Sequence, residues 1–468
     1  MNVDDHSGAS APAPAPDPSP GPDPAATLRS RGYAVLLLIA AVLGVPLAAG
    51  AWGFLQAVDQ IQKALYTDLP RGLGFHQVPV WWPLPLLAAA GILVAATIRY
   101  LPGSAGHEPS GGFAASGPAA SRNLPGILVA ALASISLGAV IGPEAPLIAL
   151  GGGVAAATVR LLKPEADRKV VSTAAAAGSF AAISTLLGSP LLGAFLLMEV
   201  SGLGGALLDV LLLPGLLASG IGALVFTGLD SWSGLPSSAL TIPGLAPAPQ
   251  PDLAEFGWAL VIGAAAAVVG QLIRQCALLL QPHVARHRML WTPAAGLAVA
   301  GLAIAYAQET GKPQGDVLFS GQSDLGPLIS HSAQYTVGAL LLLLACKGAA
   351  YGLSLSAFRG GPIFPSMFLG AAGGIAMSHL AGMSLIPGIA MGIGALADAM
   401  LGLPLTSVLL ATLLLGKDGI TVMPLVIVAV VVSYVISARL ADPVGGRSRG
   451  TEEATGRRDR PEAPPRDP

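Results

Sequence analysis

The sequence predicts an all-α integral membrane protein, on three observations. Of its 468 residues only 11% are charged while 53% are hydrophobic, and mean hydropathy is +0.69. A soluble domain carries roughly 25% charged residues, so this chain cannot coat a water-facing surface of its own size. The few charges are widely spaced, and the uncharged stretches between them are each one bilayer crossing or part of one. Gly (60) and Pro (40) are abundant without a collagen-like period, and membrane helices tolerate both better than soluble ones do. Length alone would allow about three soluble domains, but one large membrane bundle fits the composition. A net charge of −2 offers no basic surface for nucleic acid. Two cysteines, Cys276 and Cys346, both in apolar stretches, read as free thiols rather than a metal cluster.

Taken in order, residues 1–28 are an Ala/Pro/Asp run that cannot form a core and is expected to be disordered. The first apolar run opens at Tyr33 and stays uncharged to Asp59, long enough for a ~30 Å hydrocarbon core at ~1.5 Å per residue. It comes too late, and behind too acidic a segment, for a signal peptide. Further uncharged stretches separate Arg71 from Arg99, Arg122 from Glu144, Lys169 from Glu199, and Asp209 from Asp230. The second half has them between Glu255 and Arg274, Arg288 and Glu309, Asp324 and Lys347, Arg359 and Asp398, and Asp418 and Arg439. Several are interrupted: Gly142-Pro143, Gly188-Pro190, Gly361-Pro362 and Gly402-Pro404. Such breaks predict half-helices meeting inside the membrane, where irregular backbone survives only if protein covers it or it lines a cavity. Residues 442–468 are polar, Pro-rich and expected to be disordered. This gives one transmembrane domain over 29–441, in halves of about 29–230 and 250–441. Arg29 and Arg31 before the first span, and Arg439, Arg447 and Arg449 after the last, predict cytosolic termini.

The halves echo each other. Pro146-Leu-Ile-Ala-Leu-Gly-Gly-Gly resembles Pro365-Ser-Met-Phe-Leu-Gly-Ala-Ala, 219 residues on, and Leu187-Gly-Ser-Pro-Leu191 resembles Leu401-Gly-Leu-Pro-Leu405, 214 residues on. Paired, interrupted segments in corresponding halves are the sequence pointer to a transporter-type binding site.

Gly142-Pro143-Glu144-Ala145-Pro146 opens an apolar helix running from Leu147 to Val159. Proline suits a first turn, where its missing N–H is not needed. The free N–H groups and dipole of such a turn favour an anion, and the Glu144 carboxylate can itself take the anion's place. Ionised and inside, it blocks; protonated or swung out, it opens. An intramembrane acid is costly and functional by default; a helix-capping role is the bland alternative. Gly360-Gly361-Pro362-Ile363-Phe364-Pro365 repeats the logic without an acid.

These segments resemble the CLC family of chloride channels and proton/chloride exchangers. The family's GxEGP motif is matched by Gly142-Pro143-Glu144-Ala145-Pro146, and GxFxP loosely by Gly361-Pro362-Ile363-Phe364-Pro365. Gly178–Glu199, Leu318-Phe-Ser-Gly-Gln and Pro404-Leu-Thr agree in order and spacing, and the likeness covers about 30–440. The resemblance implies a CLC-type inverted-repeat bundle with broken and re-entrant helices, a homodimer with an ion path in each subunit. It implies Glu144 as the gate and anion binding at Gly142, Pro143, Ala145, Gly361, Pro362, Ile363 and Phe364. The family's GSGIP loop has only the weak counterpart Gly103-Ser104-Ala105-Gly106-His107-Glu108-Pro109, in which Ser104 or Gly106 stands near the anion-binding serine. The anion-binding tyrosine of the family's final helix has no counterpart, Tyr434 lying one helix too early. Where most exchangers carry two glutamates, the second relaying protons, this chain has Glu199-Val200, an apolar relay position as in the family's channels. Glu199 is a relay candidate only with rearrangement, and otherwise a cap or a salt bridge at the membrane surface.

The remaining polar residues are weighed singly. Lys347 within Leu340–Leu355 draws anions, pairs with an acid or snorkels. Arg359 raises positive potential near the path or anchors at the interface. His107 beside Glu108 reads as an exposed loop pair, Asp398 and His331 as structural, and Trp81 and Trp82 as an interfacial belt. No HExxH, P-loop, GxGxxG or nucleophile-elbow pattern stands in a credible context, so neither an enzyme nor a cofactor is expected. The sequence therefore predicts a multi-pass plasma-membrane protein carrying chloride or a similar small anion. Val200 favours passive conduction; proton-coupled exchange is the alternative, and a transporter of another anion, fluoride or organic, is the next.

Overall fold

The structure is a computed structural model, which describes residues 29–112, 120–201, 206–234, 247–248 and 250–441. The two expected disordered tails lie outside the described residues. Helix α1 (Arg31–Lys63) is capped by Ser30, whose hydroxyl accepts the Tyr33 N–H at 3.1 Å, and it continues through a π-helical turn, Ala64–Asp68, to Gly72. The first half goes on through α2 (Pro83–Tyr100), α3 (Leu124–Ser136), α4 (Glu144–Leu162), α5 (Arg168–Leu187), α6 (Pro190–Ser201) and α7 (Ala206–Ser233). The second comprises α8 (Leu253–Arg286), α9 (Arg288–Thr310), the short α10 (Leu325–Ser330), α11 (Val337–Ala357), α12 (Ile363–Met377), α13 (Leu385–Leu401), α14 (Pro404–Leu414) and α15 (Lys417–Leu440). Among the described residues, nine helices are long and apolar enough to cross a membrane, and four shorter apolar ones are not.

The Gly/Pro interruptions fall where helices end or begin. Helix α4 starts at Glu144, three residues ahead of the expected Leu147, because Pro143 fixes the turn before it and Pro146 sits in the first turn, where no donor is lost. Gly188 and Gly402 adopt left-handed φ of 66° and 67°, and α6 and α14 begin two residues later at Pro190 and Pro404. Both proline-led helices are about half a crossing long.

The repeat is visible as matched packing. Helix α1 packs on α7 as α8 packs on α15, α4 on α5 as α12 on α13, and α2 on α3 as α9 on α11. The halves meet where Gly142 and Gly361 form an antiparallel bridge: Gly142 N donates to Gly361 O at 2.8 Å and Gly361 N to Gly142 O at 2.7 Å. Antiparallel pairing of corresponding residues is what a two-fold axis between inverted halves requires. The α12–α13 hairpin is the tightest joint. Gly370 lies against Gly392 and Gly374 against Gly388 with backbones in direct contact, so no Cβ fits at any of the four.

Candidate functional site

Glu144, the first residue of α4, is wholly buried. Its carboxylate reaches across to the other repeat, where Oε1 accepts the Phe364 N–H at 2.8 Å. Phe364 lies in the first turn of α12, whose opening amides are unpaired within the helix. Oε2 has no hydrogen-bond partner and lies against Gly361, where a Cβ would strike it. The acid therefore lies at the N-terminus of α12, where free amides and the helix dipole favour negative charge, with the Phe364 amide donating to it. Gly142, Gly361, Pro362 and Ile363 are buried around it, with Pro143 buried and Ala145 half-buried at the start of α4.

The surrounding backbone is clamped from several elements. Ser354 on α11 accepts the Val140 N–H at 3.0 Å, and Ser134 on α3 accepts the Arg359 N–H at 3.2 Å. These are one contact made twice: each serine serves the residue two positions before the bridging glycine of the opposite repeat. Tyr66, in the π turn, donates to Leu137 O at 2.8 Å, and Gln62 donates to Ile135 O at 3.1 Å. Phe319 N donates to Gly138 O at 3.2 Å, and Tyr351 donates to Pro362 O at 2.8 Å. Glu144 thus sits on a fixed platform, so its side-chain torsions are the local freedom left to it.

Lys347 is tied to backbone carbonyls. Its ammonium is buried and donates to the carbonyls of Asp316, Val317, Leu318 and Phe319 at 2.9–3.3 Å, over the Phe368 ring. It fastens the turn that carries Phe319 to Gly138. Arg359 is buried and pairs with Glu108, which also accepts from Arg288 at 2.5 Å and from Gln281 at 2.6 Å. Glu108 is partnered by these three groups; His107 is exposed and lies 3.2 Å from Gly112 O.

The first-loop candidates stand elsewhere. Gly103, Ser104, Ala105 and Gly106 form a turn with φ between 50° and 87°; Ala105 is buried, Ser104 faces outward and Gly106 rests on Ile127. The structure brings neither Ser104 nor Gly106 into contact with Glu144. Glu199 caps α14: Oε1 accepts the Leu405 N–H at 2.7 Å, and Oε2 accepts the N–H and hydroxyl of Thr406 at 2.7 and 2.6 Å. Val200 packs against the core. Trp81 is exposed, whereas Trp82 is buried and donates to Leu65 O at 2.9 Å. Cys346 is buried and Cys276 half-buried, both as free thiols.

The sequence reading missed Ser134, Ser354 and Tyr66. A signal existed for the serines, small hydroxyls 220 residues apart in two apolar runs, close to the offset of the repeat. None existed for Tyr66, whose placement depends on the π turn.

Residues 105–438 match the family described as Voltage gated chloride channel. The putative ion-transport protein YfeO of Escherichia coli (strain K12 / DH10B) is 28% identical over 351 residues, covering 74% of this chain and 80% of that protein. The YfeO of Escherichia coli O6:H1 matches to the same extent. In three dimensions the chain is similar to a slow cyanobacterial Cl−/H+ antiporter, with TM-score 0.67 and 18% identity over 91% of this chain and 99% of that one. It is also similar to a CLC-type fluoride/proton antiporter, with TM-score 0.65 and 19% identity over 86% and 95%.

Proposed function

Because the chain belongs to the voltage gated chloride channel family, the CLC family, we propose that it carries chloride or a similar small anion across the bilayer, with Glu144 as the gate. The observation that supports this most is the Glu144 carboxylate in the anion position at the start of α12, held by the Phe364 amide while its other oxygen is unpaired. An anion arriving there replaces the carboxylate on the same donor. Release therefore costs about one charge-assisted hydrogen bond, on the order of 2 kcal/mol. Protonation weakens that bond and favours the open arrangement. We place the protein in the plasma membrane as a homodimer with both termini in the cytosol, in keeping with the basic residues flanking the first and last spans.

Two modes fit such a gate. Val200 favours passive conduction, since the position beside Glu199 carries no proton. Proton-coupled exchange is the alternative, and it needs a proton-carrying acid at a position other than 200. Chloride efflux from vesicles holding the purified full-length protein, with pH recorded, tests both. Glu144→Gln should flatten the pH dependence of flux, and an unchanged pH dependence would remove Glu144 as the gate. A panel of chloride, fluoride and organic anions tests the substrate class.

A further inference from the structure

We propose that Asp398 is the proton carrier between Glu144 and the membrane face at which Glu199 sits, filling a role that Val200 cannot. The proposal rests on Glu144 as the mobile carboxylate and takes the exchange mode of the proposed function.

Asp398 lies in the last turn of α13, 1% exposed, where helices α12, α14, α15 and α8 pack on α13. Neither carboxyl oxygen makes a hydrogen bond. The Ser433 hydroxyl of α15 is beside it, but donates to the Ala395 carbonyl at 2.8 Å. Glu199 is the charged group that bears on it. The α8 face contributes Gly270, which rests on Ala399, with Arg274 one turn further along the helix. A structural acid earns its place by capping, pairing or accepting from backbone, as Glu199 and Glu108 do. Asp398 does none of these, and an unpartnered acid in a bilayer-spanning protein marks a proton pathway more often than a packing element.

Its depth supplies the second argument. The α12–α13 hairpin pairs Gly374 with Gly388 and Gly370 with Gly392. Continuing that antiparallel register brings Phe364 level with Asp398. Phe364 is the residue whose amide holds Glu144. On its other side, α13 ends at Gly402 and the chain turns into α14, whose first amides are capped by Glu199, next to exposed Leu405. The carboxyl thus stands between a carboxylate at a half-exposed helix start and the gate. Protons enter from water at the Glu199 end, reside on Asp398 and pass to the ionised Glu144. Glu144 then leaves the α12 amide, the anion takes its place, and the proton is released on the far side as Glu144 returns. Each cycle moves protons against the anion, with no bond made or broken other than to hydrogen.

The test uses the full-length protein in vesicles under an outward chloride gradient, with chloride and pH recorded together. The wild type should drive protons inward. Asp398→Asn should lower the protons moved per chloride by at least about tenfold, and Asp398→Glu should restore most of the coupling. Chloride flux without proton movement in the wild type, or an unchanged ratio in Asp398→Asn, overturns the proposal. The wild-type measurement decides even if the asparagine variant fails to fold. Glu144→Gln in the same vesicles separates the two readings. If its flux keeps the wild-type pH dependence, the gate has failed. If it loses that dependence while Asp398→Asn still couples, only the carrier has failed.

Discussion

At the residue scale the same two side-chain types do different work according to what surrounds them. Lys347 behaves as a tethered internal cation, its ammonium shared among four carbonyls. Lys347→Met removes the donor from all four and should lower stability by about 3 kcal/mol or more, read as a fall in unfolding temperature of the detergent-purified protein. Glu108 lies outside the spans. Burial pushes its carboxyl up, but hydrogen bonds from Arg288 and Gln281 and the charge of Arg359 outweigh this and hold it below the ordinary carboxylate value. A group depressed in the folded state contributes stability that is present above its unfolded pKa of about 4.3 and is lost as pH falls through the folded value. Glu108→Gln also leaves buried Arg359 without its counter-charge. The variant should be less stable than the wild type at neutral pH by about 1–3 kcal/mol, and the gap should narrow progressively as pH falls below the unfolded carboxyl value of about 4.3. A gap that is constant over the acid range counts against the ion pair.

At the element scale, function depends on where helices stop. Helices α4 and α12 begin inside the protein because Gly and Pro precede them, and the Glu144 side chain at the start of one meets the Phe364 amide at the start of the other. The α12–α13 hairpin sets the depth of that point through glycine contacts. Gly370→Val should prevent the two helices from closing and cost about 3 kcal/mol or the fold itself. Gly373→Ala, on the same helix, meets only Leu344 Cδ2 at 4.0 Å and should be neutral or slightly stabilising. Size-exclusion profiles and unfolding temperatures of the pair provide the comparison, and equal effects would contradict the packing.

At the scale of the whole molecule, the two repeats are locked by exchanging contacts, and the site exists only in their union. Ser134 and Ser354 each accept a buried N–H from the opposite half. Ser134→Ala and Ser354→Ala each strand one amide and should cost about 1–2 kcal/mol. The inverted symmetry predicts similar losses in thermal unfolding, and a large loss at only one serine would show that the halves are not equivalent there.

Much of this was legible in the chain. Charge scarcity, the Gly/Pro breaks, the repeat offset and the intramembrane Glu144 follow from backbone chemistry acting within a turn or two, which sequence encodes directly. Partners were not legible. The Phe364 amide that holds Glu144 lies 220 residues away, the donors that fix Glu199 more than 200, and the carbonyls around Lys347 between 28 and 31. Asp398 read as structural because its letter does not reveal whether donors await it, and none does. Read from its letters alone, the chain is a membrane bundle of broken, repeated helices with one acid at a break. Which polar groups are satisfied and which are left over is set by the folded packing, because that depends on how two distant halves close on each other.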